Sequence, residues 1–167
     1  MSAPIAIVND DDEIIGSATK QQAWEQGLLH RVVRIMIHNK AGQILLQHRT
    51  PTKDIFPDCW DNSSAGHVDA GEDYDDAAYR ELEEELGIRG VTLKPIGLYR
   101  SDETWQGHRF NRFSKCYVAT MEALPKKLEA GKVDDARWFS LDEVKQMVAG
   151  QPDSVTDGLR QVVERYY

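Results

Sequence analysis

Along the chain, short runs in which apolar residues alternate with polar ones are interrupted by stretches where they recur at helical spacing. Ile5 to Val8 and Glu13 to Gly16 flank the acidic stretch Asn9-Asp10-Asp11-Asp12, a pattern that predicts a hairpin. Thr19 to Leu29 reads as a short helix with Ser17 or Thr19 as its cap. Arg31 to His38 and Gln43 to Arg49 are β-rich and surround Asn39-Lys40-Ala41-Gly42, which predicts a second hairpin. Thr50 to Asn62 holds two prolines and reads as a loop. Asp73 to Leu86 has a helical pattern that stops at Gly87, the residue type expected just beyond a helix terminus. Val91 to Ser101, Phe110 to Met121 and Ala136 to Ser140 read as strands, with a polar loop between Ser101 and Arg109. Ser140 caps a helix over Leu141 to Val148, and a last helix covers about Val155 to Tyr166. Strands first, then a helix, more strands and terminal helices predict an α/β (α+β) arrangement: a mixed sheet with helices on both faces.

The 167 residues suit a single domain, 1–167, with no repeat or long linker inside it. Cys59 and Cys116, far apart and outside any CxxC pair, read as free thiols rather than a zinc site. No apolar run approaches the ~20 residues of a membrane span, and the acidic start lacks a secretion signal, so a cytoplasmic protein off the membrane is expected. A formal charge of −8 repels phosphate backbones and argues against a nucleic-acid polymer as partner. A small phosphorylated substrate stays open, because a divalent cation on clustered carboxylates reverses the local sign.

Such a cluster is visible between Gly66 and Ile88. Glu81, Glu84 and Glu85 stand at i, i+3 and i+4, within an arc of about 100° on one helix face. Leu82, Leu86, Ala78 and Tyr79 form an adjacent apolar stripe expected to face the sheet. Like charges at this spacing oppose each other, and hard Mg²⁺, which prefers oxygen ligands, removes the repulsion. Arg80, the only basic residue from Glu72 to Glu85, is expected to pair with Glu72 or Glu84 and leave Glu81 and Glu85 for metal.

The segment fits G-x5-E-x7-R-E-U-x-E-E-x-G-U (U aliphatic) at Gly66, Glu72, Arg80, Glu81, Leu82, Glu84, Glu85, Gly87 and Ile88. In this it resembles the signature of the Nudix hydrolases. The resemblance implies an α/β/α sandwich with a loop–helix–loop motif at 66–88, and 1–29 as an N-terminal hairpin and short helix. It implies water attack on a diphosphate linkage with Mg²⁺ or Mn²⁺. By position, Glu81, Glu84, Glu85 and the backbone carbonyl near Ala65 resemble metal ligands, and Glu72 with Arg80 resembles the pair that orients the helix. The general base is left among Glu81, Glu103, Asp134 and Asp135. Dimers are frequent among such relatives, so a homodimer is compatible with the likeness.

Outside the signature, the stretch from Leu28 to Glu72 resembles the branch that includes isopentenyl diphosphate isomerase. Arg49 and Lys53 match its diphosphate grip, and His30 and His67 match two of its metal-binding histidines. Two departures oppose isomerase chemistry: Ala65 stands where that enzyme has its catalytic cysteine, and no carboxylate occurs at Phe110-Asn111-Arg112, where it has Glu-x-Glu. Trp105 is a candidate to stack on a base. The expectation is thus a pyrophosphatase acting on a nucleoside diphosphate derivative, a nucleoside di- or triphosphate, or a related organic diphosphate. The alternatives are a binding or sensing module without turnover, and the isomerase.

Overall fold

The computed structural model describes residues 2–167. The chain runs β1 (Ile5–Val8), β2 (Ile14–Ala18), α1 (Lys20–Gln26), β3 (His30–His38), β4 (Ile44–Arg49), β5 (Trp60–Asp61), β6 (Ser64–His67), α2 (Tyr74–Leu86), β7 (Lys94–Trp105), β8 (His108–Thr120), β9 (Val133–Phe139), α3 (Leu141–Gly150), a 3₁₀ turn (Pro152–Ser154) and α4 (Asp157–Tyr166). Each α-helix starts on a side-chain cap: Thr19, Asp73, Ser140 and Thr156 accept from backbone amides one turn on. Thr19 and Gln22 form a full capping box, which settles the first helix on Thr19 rather than Ser17.

The sheet is mixed. β3 is its hub: it lies parallel to β8 and antiparallel to β1, β4 and β6. β9 and β5 extend the sheet from β4, and β7 pairs with β8. Alternation along β3 divides the interior. Val33, Ile35 and Ile37 pack with Ala77, Ala78, Leu82 and Leu86 of α2. Met36 turns the other way, toward Leu159, Val162 and Val163 of α4 and Val144 of α3. Helices therefore cover both faces, as the pattern predicts.

Several boundaries differ from the sequence reading. The expected loop from Ser101 to Arg109 is instead the end of a long hairpin, in which Trp105 pairs with His108 across a two-residue turn. Gln106 and Gly107 take φ of 45° and 82°, the left-handed pair that suits a tight hairpin turn. The run Thr50 to Asn62 contains the short strand β5, and the signature opens on a strand, β6, rather than a loop. The last helix starts at Asp157, because Val155 is extended and bridges Trp60. Both cysteines are buried free thiols. Among the described residues no helix is long and apolar enough to cross a membrane.

Candidate active site

A cleft of about 380 Å³ opens where α2, β3, β6 and the loop after β4 converge. Its acidic wall comes from α2. Ala78 and Glu85 mark the middle of the buried stripe of this helix. At 100° per residue Glu81 lies about 50° from that middle, while Glu84 and Tyr79 lie about 110° away on opposite sides. The structure follows this arithmetic. Glu85 is buried and Glu81 nearly so, whereas Glu84 is 47% exposed at its side chain. Tyr79, expected in the stripe, is 45% exposed, and its hydroxyl accepts from the Leu93 amide at 3.1 Å. Ala77 takes its place in the core.

Glu85 Oε1 is held by three donors: the Ser64 hydroxyl, the Ala65 amide at 2.9 Å and Gln47 Nε2 at 3.1 Å. Those bonds fix the carboxylate against β6, beside Ala65. Glu81 comes to the same strand at Gly66, where an added Cβ would stand 2.2 Å from the Glu81 carboxyl carbon. Only glycine permits that approach. Burial, with the charge of Glu85 next, pushes Glu81 up to about 8 despite Arg80. Burial raises Glu85 as well.

Arg80 ties the motif together. It forks onto Glu72 at 2.7 and 2.9 Å, reaches the His67 carbonyl at 2.9 Å, and bonds Glu81 at 2.9 Å and Glu84 at 3.1 Å. The pairing with Glu72 and Glu84 matches the sequence reading; the contact with Glu81 corrects it, since Arg80 does not leave that carboxylate free. Burial pushes Glu72 up, yet the Arg80 fork prevails and holds it below the usual carboxylate range. Among the described residues no cluster of three metal-ligating side chains is preformed. The donor set nevertheless suits a hard cation: two carboxylates whose proton affinity burial raises, a backbone carbonyl at Ala65, and Glu84 one helical turn away at the surface.

The opposite wall is basic. Lys20, Arg34, Arg49, Lys53, Arg112 and Lys132 line the cleft of a chain whose net charge is −8. Arg49 donates to the carbonyls of Ile55 and Phe56 and to Asp61, so it shapes the loop that carries Lys53. Burial lowers Lys53, with the Arg49 charge adding to it, whereas Glu129 raises Lys132. Beneath lie His30 and His67, stacked at 5.4 Å. His30 Nδ1 donates to the Leu28 carbonyl at 2.8 Å. Burial lowers His30 to about 4 and His67 well below its ordinary value, so both are neutral imidazoles.

Of the four carboxylates considered as base, Glu81 alone lines this cleft. Glu103 is forked to Arg160, Asp134 bonds His48 and Asp135 bonds Arg137. Trp105 lies in an adjoining cavity of about 400 Å³, its ring tilted 32° against Phe56 at a centroid distance of 4.8 Å, and Phe56 borders both spaces. Sequence reasoning missed Lys20, Arg34, Arg112 and Lys132. A single signal was available: Arg34 breaks the apolar run from Val32 to Ile37, where a charge needs a purpose.

The family model of the NUDIX domain matches residues 28–165. An uncharacterised Nudix hydrolase of Pseudomonas aeruginosa is 35% identical over 147 residues, covering 86% of this chain and 84% of that protein. An isopentenyl-diphosphate Delta-isomerase of Nocardia farcinica is 30% identical over 163 residues, covering 96% and 93%. A crystal structure from Deinococcus radiodurans superposes with a TM-score of 0.81 at 24% identity, over 98% of this chain and 99% of that one, and so shares the fold. With the α/β/α layers, the intact motif on α2 and the carboxylate pair at β6, these likenesses place the chain in the Nudix hydrolase family.

Proposed function

We propose that this pyrophosphohydrolase cleaves the phosphoanhydride of a nucleoside diphosphate derivative, a nucleoside di- or triphosphate, or a related organic diphosphate, with Mg²⁺ or Mn²⁺. The observation that carries the reading is the meeting of Glu81 and Glu85 with Lys20, Lys53 and Lys132 in one cleft. Glu81, Glu84, Glu85 and the Ala65 carbonyl would hold the cation. When bound, it neutralises phosphoryl oxygens and acidifies water. Lys20, Lys53 and Lys132 bind the diphosphate oxygens, and Arg49 acts by fixing the 50–58 loop around Lys53. Water attacks phosphorus, the bridging P–O bond breaks, and Glu81 takes the water's proton. Arg80 and Glu72 keep α2 seated against β6. Trp105, with Phe56, walls the space for the group linked to the diphosphate.

Isomerase chemistry is disfavoured by Ala65 and by Arg112, a cation facing the cleft on the strand where the likeness calls for carboxylates. The test is phosphate release from nucleotide sugars, dinucleotides, nucleoside di- and triphosphates and isoprenoid diphosphates, with Mg²⁺ or Mn²⁺. Metal-dependent turnover of one class is expected. Binding without turnover would favour a sensing module, and dimethylallyl diphosphate formation would favour the isomerase.

A further inference from the structure

Arg34 and Arg112 are not used by the diphosphate reading, yet each is only 5% exposed and lines the cleft. A guanidinium removed from water needs an anion and a full set of hydrogen-bond partners, and here both are short. Arg34 makes one side-chain bond, to the Ser114 hydroxyl at 3.3 Å, and among the described residues no carboxylate lies within ion-pair distance of it. Arg112 pairs with Asp157. Among the described residues Arg34 Nη2, Arg112 Nε and His30 Nε2 have no partner. The neighbouring carboxylates are already engaged by other groups. Asp61 is occupied by Arg49, Thr156 and the Asn62 amide. Arg34, Arg49 and Arg112 therefore share two carboxylates, Asp61 and Asp157.

The site is also built for close approach. Gly158, in the first turn of α4, lies against Arg34, where an added Cβ would stand 1.9 Å from Nη1. The positive end of the α4 dipole thus adds to the two guanidinium groups. In register, Arg34 pairs with Ala65, whose amide holds Glu85. The basic floor and the carboxylate pair are thus neighbours across a single strand.

We propose that Arg34 and Arg112 form an oxyanion subsite at the floor of the cleft, which takes a phosphoryl or carboxylate group of the substrate other than the phosphoryl attacked by water. Placing both groups on one molecule rests on the diphosphate reading; the subsite itself does not. Guanidinium is suited to the task, since it keeps its charge when buried and offers a planar fork to oxyanions. The substrate would then carry a second acidic group, such as an additional phosphoryl or an acidic moiety, and a neutral counterpart would bind more weakly.

The test is a soak of wild-type crystals in sodium selenate, with a chelator and no divalent cation. A selenium anomalous peak within hydrogen-bond distance of both guanidinium groups is expected, in wild type and in Glu85→Gln alike. Peaks confined to Lys20, Lys53 and Lys132, or no peak, would overturn the proposal. Titrations with inorganic phosphate and with malonate, followed by tryptophan fluorescence because Trp24 lines the cleft, then separate phosphoryl from carboxylate. Arg112→Met should weaken the preferred anion by roughly tenfold or more, and Arg112→Lys by less. Should Arg112→Met fail to fold, the selenate map of the wild type still decides. Loss of turnover in Glu85→Gln tests the hydrolase reading separately, so the two claims can fail independently.

Discussion

The two walls of the cleft are built in opposite ways. The acidic wall comes from one helix and one strand: Glu81 and Glu85 rise from successive turns of α2 and meet β6 through Ser64, Ala65 and Gly66. The basic wall is gathered from distant pieces: Lys20 from α1, Arg34 from β3, Lys53 from a loop, Arg112 from β8 and Lys132 from the turn before β9. Carboxylates that must share a cation need a spacing fixed to a fraction of an ångström, which a helix supplies. Cations that grip an extended anion need only face it, and separate elements serve well. The acidic wall should therefore control turnover, and the basic wall should control binding.

Gly66→Ala is the sharpest way to break that contrast without touching a charged group. The new methyl collides with the Glu81 carboxyl carbon, 2.2 Å from the ideal Cβ, and must move it. Turnover is expected to fall by about 10²- to 10³-fold with loss of cation affinity, as a misplaced catalytic group does. Isothermal titration with Mn²⁺ beside a rate measurement checks both. Unchanged Mn²⁺ binding would mean that Glu81 is not held where the account needs it.

Beneath the basic wall, His30 is kept neutral by burial, with its value lowered to about 4. The unfolded chain binds a proton near pH 6.5 that the folded chain refuses. Stability is thus complete above that value and declines as pH falls toward 4, by about 3 kcal/mol for this group. His67 acts in the same direction. Glu81, raised to about 8, acts oppositely, lowering stability as pH rises from its unfolded value. Urea unfolding of wild type against His30→Gln isolates the histidine: their difference should shrink as pH drops from 7 to 4. A constant difference would refute the neutral assignment.

Lys53→Met should raise KM about tenfold while kcat changes little, because the lysine contacts oxygens present in ground and transition states alike. Equal loss in kcat would place Lys53 at the reacting phosphoryl. Trp105→Ala carries the smallest effect, a loss of about threefold to tenfold in kcat/KM, in line with the worth of one aromatic contact. An unchanged value would leave the adjoining cavity without a role.

The same construction explains what could be read from the sequence. The α2 motif, its cap at Asp73 and its stop at Gly87 lie within a single stretch, so periodicity and spacing expose them. Even the exposure of Glu84 and Tyr79 follows from helical angles once the buried centre is known. The hairpin arms around Gln106 were hidden because Asp102, Glu103, Thr104 and Arg109 are polar and solvent-facing, leaving no apolar alternation between them. Arg34 and Arg112 lie in different strands and come to line one cleft because β3 and β8 are paired, which no local pattern announces. Arg49 and Lys53 were visible as a pair, yet the hold of Arg49 on the loop that carries Lys53 depends on the carbonyls of Ile55 and Phe56.

The most direct measurement of the central claim is Mn²⁺-dependent phosphate release across the diphosphate panel, for wild type and Glu85→Gln together. Gln keeps the size of the side chain and the seat against Ser64 and Ala65 while removing the charge. The account predicts metal-dependent turnover of one substrate class by wild type and a loss of about 10³-fold in the variant, the several kcal/mol that a cation contributes. Turnover undiminished by Glu85→Gln, with the protein folded, would contradict it.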